Sequence, residues 1–293
     1  MKTELSIITV NYNGLEDTCA LIDTIPSDDW IEVIVVDNGS TADEAALISS
    51  RYPHVKAIRS EQNLGFAGGN NVGIRAATGN YLYLINNDTV FGDFNVSPLI
   101  DRLASSPRIA MAWPKIRFAW TPQPIQFAGY TPQTAVTLRN QAIGNGEDDG
   151  GQYDTPHPTP YAHGAAMMVS REALRQAGPI PECYFLYYEE LDWSVLFRRA
   201  GYEIWYEPGS TIYHKESRTT GIDSPLKTYY ITRNRLLFAR RNSSRANRLA
   251  TYCYLSLLVA PRNVARHLLH GRADLAKATL RGLHDFYRNR QGQ

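Results

Sequence analysis

The side chains able to do chemistry gather in a few short stretches. Asn86-Asn87-Asp88-Thr89 ends the apolar run YLYLI, Glu189, Glu190 and Asp192 crowd YYEELDW, His214 closes STIYH, and Arg233-Asn234 lie within ITRNR. Carboxylate and imidazole are ligands for a divalent cation. A carboxylate cluster can supply a general base. A guanidinium suits bidentate contact with phosphate. Each stretch also has a plainer reading. Asn, Asp and Thr stop strands by bonding nearby backbone. Acids in a first helical turn complement the dipole. A lone His is commonly structural, and Arg and Asn can cap local structure. The choice depends on where the elements bring these groups.

The elements alternate. LSIITVNY (5–12), IEVIVVDN (31–38), HVKAIRSE (54–61) and YLYLIN (81–86) read as strands, the first two apolar on both faces as buried parallel strands are. LEDTCALIDTI (15–25) has helical spacing, and a second helix should follow a cap at Ser40-Thr41. NLGFAGGNNVGIRAATG reads as a glycine-bearing turn feeding a helix that ends near Gly79. This order predicts a parallel sheet in a doubly wound α/β domain. A helix from the acids at 189–192 should end near Gly201. Polar groups then collect at one edge of the sheet: Asn11 and Asn13, Asp37 and Asn38, and Asn86 to Asp88. That edge is where such sheets bind nucleotides. Asp37 is placed to accept from a pyrimidine imide or a ribose hydroxyl, and the GFAGG glycines would let backbone approach a ligand. GFAGG matches neither the dinucleotide fingerprint nor the P-loop, so a dehydrogenase or P-loop ATPase gains little support.

Composition narrows the class. At 293 residues, 43% of them apolar, the chain can bury a large core. Cys19, Cys183 and Cys253 are scattered and odd in number, which supports neither a disulfide framework nor a CxxC zinc site and fits a cytoplasmic location. The amino terminus enters a strand pattern at once, arguing against a secretory leader, and the apolar run 252–260 is too short to span a bilayer. Charge is lopsided. Residues 233–293 hold 13 Lys and Arg against two Asp, a balance of +11, whereas residues 1–232 hold 17 basic and 27 acidic residues, −10. A basic, partly amphipathic tail suits a peripheral membrane contact, a homodimer or simply a solvated face. Pro261 should break it into two helices. GNGEDDGGQYDTPHPTP (144–160) reads as a mobile loop able to cover a site, or as a solvated linker.

Taken in order, VNYN (10–13), VVDNGS (35–40), NLGFAGGNNVGI (63–74), LINNDT (84–89), YFLYYEELDW (184–193), AGYEIWYEPGSTIYH (200–214) and YYITRNRLLF (229–238) resemble the family-2 inverting glycosyltransferases of GT-A fold, especially the bacterial rhamnosyltransferase-like group. The resemblance implies a Rossmann-like, mostly parallel sheet in a catalytic domain over 1–240, with a nucleotide-sugar part over about 1–92 and an acceptor part over about 93–240, followed by a basic helical extension over 241–293. It puts Asn86-Asn87-Asp88 at the family's DxD motif, with an amide where the first carboxylate usually meets the ribose. Val10, Asn11, Asn13, Asp37, Asn63, Gly65, Asn70, Asn86, Asn87 and Arg233 would bind the nucleotide sugar. Asp88 and His214 would hold Mg²⁺ or Mn²⁺. Glu190 takes the position of the base, with Glu189 and Asp192 beside it, and His163, Gly164 and Trp193 would border the acceptor.

The implied reaction moves rhamnose from a dTDP-linked donor, or a sugar from a UDP-linked one, to a glycan or lipid-linked acceptor in cell-surface polysaccharide synthesis. No role for nucleic acid is implied. Rival readings are a sugar-phosphate nucleotidyltransferase, which would normally show a basic glycine-rich loop where VNYNGLED stands, and a catalytically silent carbohydrate-binding protein.

Overall fold

A computed structural model describes residues 3–216 and 224–289. The strands are β1 (Leu5–Asn11), β2 (Ile31–Asn38), β3 (Val55–Ser60), β4 (Tyr81–Ile85), β5 (Thr89–Phe91), β6 (Ile109–Phe118), β7 (Ile125–Phe127), β8 (His157–Pro158), β9 (Ala166–Ser170) and β10 (Glu203–His214). The helices are α1 (Leu15–Ile22), α2 (Glu44–Arg51), α3 (Gly65–Ala76), α4 (Ser97–Ala104), α5 (Arg171–Ala177), α6 (Glu189–Arg199), α7 (Pro225–Asn242), α8 (Arg245–Cys253), α9 (Ala260–Leu269) and α10 (Ala273–Tyr287). One sheet runs β3-β2-β1-β4-β9-β6-β10-β5, with β7 on β6 and β8 on β10. The β3-β2-β1-β4 half is parallel, as its β-branched runs and intervening helices require. Antiparallel β9 joins it to the parallel β6–β10 pair.

Register gathers the polar strand ends. Asn11 lies opposite Asp37, and Asp37 opposite Arg59. Helix α3 then crosses the sheet unusually closely. A Cβ on Gly73 would stand 2.3 Å from Ile8 Cγ2, and one on Gly69 2.8 Å from Val10 Cγ1. Gly69 and Gly73 serve helix–sheet contact. Gly65 has a different duty, since its φ of +73° and the Phe185 carbonyl beside it leave no room for a side chain. The cap of α2 is Asp43, which accepts from Ala46 N, two residues beyond the cap anticipated at Ser40-Thr41.

The 144–160 segment is neither a free lid nor a solvated linker. Lys115, buried on β6, places its ammonium 2.9 and 3.0 Å from the Asp149 carboxylate oxygens and also bonds Asp154. A buried ammonium needs such partners, and the pairing pins the loop. Backbone bonds between Ile125, Gly146 and Glu147 tie it further to β7.

The boundary expected at residue 240 falls inside α7, which continues to Asn242. A second core joins Tyr184 and Leu191, beside the acid cluster, to Leu236, Leu237 and Phe238 of α7, to Leu255, and to Phe286 of α10. Pro261 does not break the rod either. Helix continues from α8 into α9 through a wide π turn over Tyr254–Val259. Pro261 follows that π turn almost at once, and the widened turn lets the helix pass a residue that has no N–H to donate.

Candidate active site

A crevice of about 820 Å³ opens at the carboxyl ends of β1, β2 and β4. Val10, Asn13, Asn63, Gly65, Asn70, Asn86, Asn87 and Asp88 line it, as the sequence led us to expect. Several are fixed by one another. Asn63 Oδ1 accepts from Gly65 N at 2.8 Å and from Asn38 Nδ2 at 3.1 Å, and Asn87 Nδ2 donates to Thr18 Oγ1 at 3.1 Å. Asn13 is left-handed at φ 50° and accepts from Thr41 N.

Asn11 and Asp37 are not among the lining residues, because both are consumed beneath the crevice. Asn11 donates to Glu44 at 2.6 Å and accepts from Thr18 at 2.7 Å. The fully buried Asp37 accepts from Ser40 N and Ala45 N and pairs with Arg59 at 3.1 Å. This carboxylate organises the β2–α2 turn and offers nothing to a pyrimidine.

Asp88 lines the crevice, and behind it the buried His214 places Nε2 3.1 Å from Asp88 Oδ1 and Nδ1 2.8 Å from Gln126 Oε1. An amide oxygen only accepts, so Nδ1 donates to Gln126, and Nε2 is the ring nitrogen left facing the carboxylate. Among the described residues, Asp88 Oδ2 is buried with no hydrogen-bond partner, and the buried His214 Nε2 has only the contact with Asp88 Oδ1. Facing acceptors of this kind fit a shared cation, with Gln126 as the group that orients the imidazole. Sequence spacing gave no hint of Gln126, which lies 88 residues from its partner. No cluster of three or more His, Cys, Asp or Glu able to hold a metal occurs among the described residues, so the rest of such a shell would have to come from substrate oxygens.

The acids of α6 have separate fates. Asp192 is fully buried and accepts from Tyr184 OH at 3.0 Å, from Asn242 Nδ2 at 2.8 Å and from Arg241, which makes it a structural anchor and not a base. Glu189 is buried with Oε2 unpartnered, and burial beside Glu190 pushes its carboxyl well above the ordinary range. Glu190 is pushed up to about 7 by burial, against the opposing pull of backbone N–H groups. Its Cγ is 3.9 Å from the Cβ position at Gly164, and Phe66 Cζ is 3.8 Å from that same point. Phe66 lines the crevice, so Gly164 and Glu190 adjoin one of its walls without lining it themselves.

His163 belongs to the same neighbourhood, 6.4 Å ring to ring from His214. Burial, then the nearby His214, lowers its pKa to about 3, and its Nδ1 accepts from Ala165 N. Trp193 does not face an acceptor: it is fully buried, meets Phe197 edge to face and donates to the Gly178 carbonyl at 2.9 Å.

Arg233 is likewise committed elsewhere. Phe185, Tyr187 and Tyr188 all have positive φ just before Glu189, a costly run for large side chains. Arg233 Nη2 donates to the Tyr184 carbonyl at 2.6 Å, and Asn234 Nδ2 donates to the carbonyls of Tyr184, Leu186 and Tyr187. The buried Arg-Asn pair therefore holds the strained loop that presents the acids, and phosphate contact is not its task.

Comparison with known proteins follows this geometry. Residues 6–178 match the model of the family described as "Glycosyl transferase family 2". The chain is 28% identical, over 100% of its length and 94% of the relative's, to the low-salt glycan biosynthesis hexosyltransferase Agl10 of Haloferax volcanii. It is 24% identical to an N-acetylglucosaminyl-diphospho-decaprenol L-rhamnosyltransferase of Mycobacterium tuberculosis, over 76% of this chain and 80% of that one. Among solved structures, a mannosyltransferase from Pyrobaculum calidifontis in complex with GDP-Man and Mn²⁺ aligns with TM-score 0.57 and 13% identity over 99% of this chain and 88% of that one. GalNAc-T7 with UDP, GalNAc and Mn²⁺ aligns with TM-score 0.61 and 14% identity over 84% of this chain, which spans only 52% of GalNAc-T7. The sheet and crevice thus have the GT-A architecture, and the chain belongs to glycosyl transferase family 2.

Proposed function

We propose that this glycosyltransferase moves rhamnose from dTDP-rhamnose, with inversion, to a hydroxyl of a glycan or lipid-linked acceptor in glycan synthesis. The choice of sugar and of a lipid-linked acceptor leans on the mycobacterial relative, whose name carries both. Residues 1–92 supply most of the donor crevice, 93–240 complete it through residues such as Trp120, Phe185 and Lys215 and supply the acceptor side, and the helices beyond 240 form a basic extension. The observation that carries the reading is the buried contact of His214 Nε2 with the carboxylate of the crevice-lining Asp88, whose Oδ2 has no hydrogen-bond partner among the described residues. Mg²⁺ or Mn²⁺ held there would neutralise the diphosphate as it leaves. Glu190 takes the acceptor hydroxyl's proton, and the freed oxygen attacks the anomeric carbon as its bond to the nucleoside diphosphate breaks. Fully buried Asp192 is not available for that step, and burial beside Glu190 holds the Glu189 carboxyl well above the ordinary carboxylate range.

The direct test is Mn²⁺ binding by electron paramagnetic resonance, with and without dTDP. Asp88→Ala and His214→Ala should each abolish nucleotide-dependent Mn²⁺ uptake while circular dichroism stays unchanged. Full turnover in excess EDTA would remove the cation from the reaction. Donor hydrolysis without acceptor would exclude a silent binding protein, and formation of sugar nucleotide from NTP and sugar phosphate would favour the nucleotidyltransferase.

The basic face has its own support. Leu249, Leu257, Leu258, Leu268 and Leu269 are exposed along α8, the π turn and α9, with Arg262 and Arg266 exposed among them. No described helix is long and apolar enough to cross a membrane. Leucines beside arginines suit the headgroup boundary of an anionic bilayer, where a lipid-linked acceptor would be met.

A further inference from the structure

The crevice is poor in the charge its ligand needs. Glu16, Asp17, Asp88 and Glu216 line it, and among the described lining residues the sole cationic side chain is Lys215. A nucleoside diphosphate brings further negative charge into this surrounding, so a cation bound at Asp88 would leave part of it unbalanced. Lys215 is well placed to balance it. It directly follows His214, and its backbone N–H donates to the Asp88 carbonyl at 2.9 Å, which ties it to the strand end carrying the candidate cation ligand. Its ammonium lies 2.6 Å from Asp17 Oδ1 on α1, a contact between two crevice-lining side chains.

That ion pair is a weak commitment. Both side chains are about two-fifths open to solvent, at 41% and 45%, and exposed pairs of this kind add little net stability. A diphosphate offers the same ammonium more oxygens and more charge than one carboxylate does. We infer that Lys215 binds the diphosphate of the donor, and that Asp17 competes with the diphosphate for it. The inference rests on the reading that this crevice takes a nucleotide sugar. It assigns Asp17 a definite role: the carboxylate sets how much phosphate-binding free energy Lys215 can deliver.

Calorimetric titration of the full-length protein with dTDP and with thymidine, both in Mn²⁺, separates the possibilities. Lys215→Ala should weaken dTDP by about tenfold or more, as loss of a charge-assisted contact does, while thymidine binding is unchanged. Lys215→Arg should restore most of the loss. Asp17→Asn should tighten dTDP several-fold, and that gain should vanish in the Lys215→Ala background. Equal dTDP affinity in Lys215→Ala and the unaltered protein would overturn the inference and leave the nucleotide-sugar reading standing. A gain from Asp17→Asn that persists without Lys215 would reduce Asp17 to simple repulsion and overturn the competition. Absence of dTDP and UDP binding by the unaltered protein would sink both the reading and the inference.

Discussion

Glu189, Glu190 and Asp192 lie within one turn of α6, yet burial pushes the Glu189 carboxyl well above its ordinary range, Glu190 is raised to about 7 and Asp192 is locked to Arg241. Glu190→Gln is expected to cut turnover by about 10² or more, as loss of a general base does, with dTDP affinity near its original value. The pH profile should share the cause. A base with its pKa raised to about 7 is protonated below that value, so the rate should fall as pH drops through about 7 and reach a plateau above it. A profile flat down to pH 5 would remove Glu190 from the role. Asp192→Asn should instead lower the melting temperature, since it loosens the tie to Arg241. Residue type and spacing located this cluster but could not rank its members, because rank came from burial and from partners some 50 positions away. Asp37, Arg233 and Trp193 were misread for the same reason: each looks available in one dimension and is consumed in three.

Helix α3 shows what could be read at the level of elements. The four parallel strands and the helices between them were legible within a few residues, since β-branched runs and apolar spacing are local signals. The glycines of α3 were legible as glycines, but their purpose depends on a sheet that spacing alone does not describe. Gly73→Ala should destabilise the fold by about 1–3 kcal/mol, because its new methyl meets Ile8 at a distance no Cβ tolerates. Urea unfolding measures this, and an unchanged midpoint would show that α3 can lift off the sheet at little cost. The β5–β10 edge, the antiparallel insertion of β9 and the Lys115 clamp on 144–160 were not legible. Their partners are distant, as with Lys115 and Asp149, 34 positions apart.

For the whole molecule, the +11 tail is not a part separate from the −10 body, since its Arg233 and Arg241 are tied to Tyr184 and Asp192. Leu257 and Leu269 are 70% and 86% exposed on the tail. The protein should sediment with phosphatidylglycerol vesicles at low salt and be released as salt screens the arginines. Leu257→Asp with Leu258→Asp should abolish sedimentation without altering dTDP binding. A dimer that those substitutions dissociate, with no vesicle binding, would assign the face to self-association. Truncation is the wrong instrument for this question, because Leu255 and Phe286 share a core with Tyr184 and Leu191. Helix α7 runs through the expected boundary, and its Arg233 and Asn234 grip the loop before the acids. Heat should therefore not shed the tail ahead of the rest. The surface that would meet lipid and the loop that aims Glu190 belong to one cooperative unit, and they melt together or not at all.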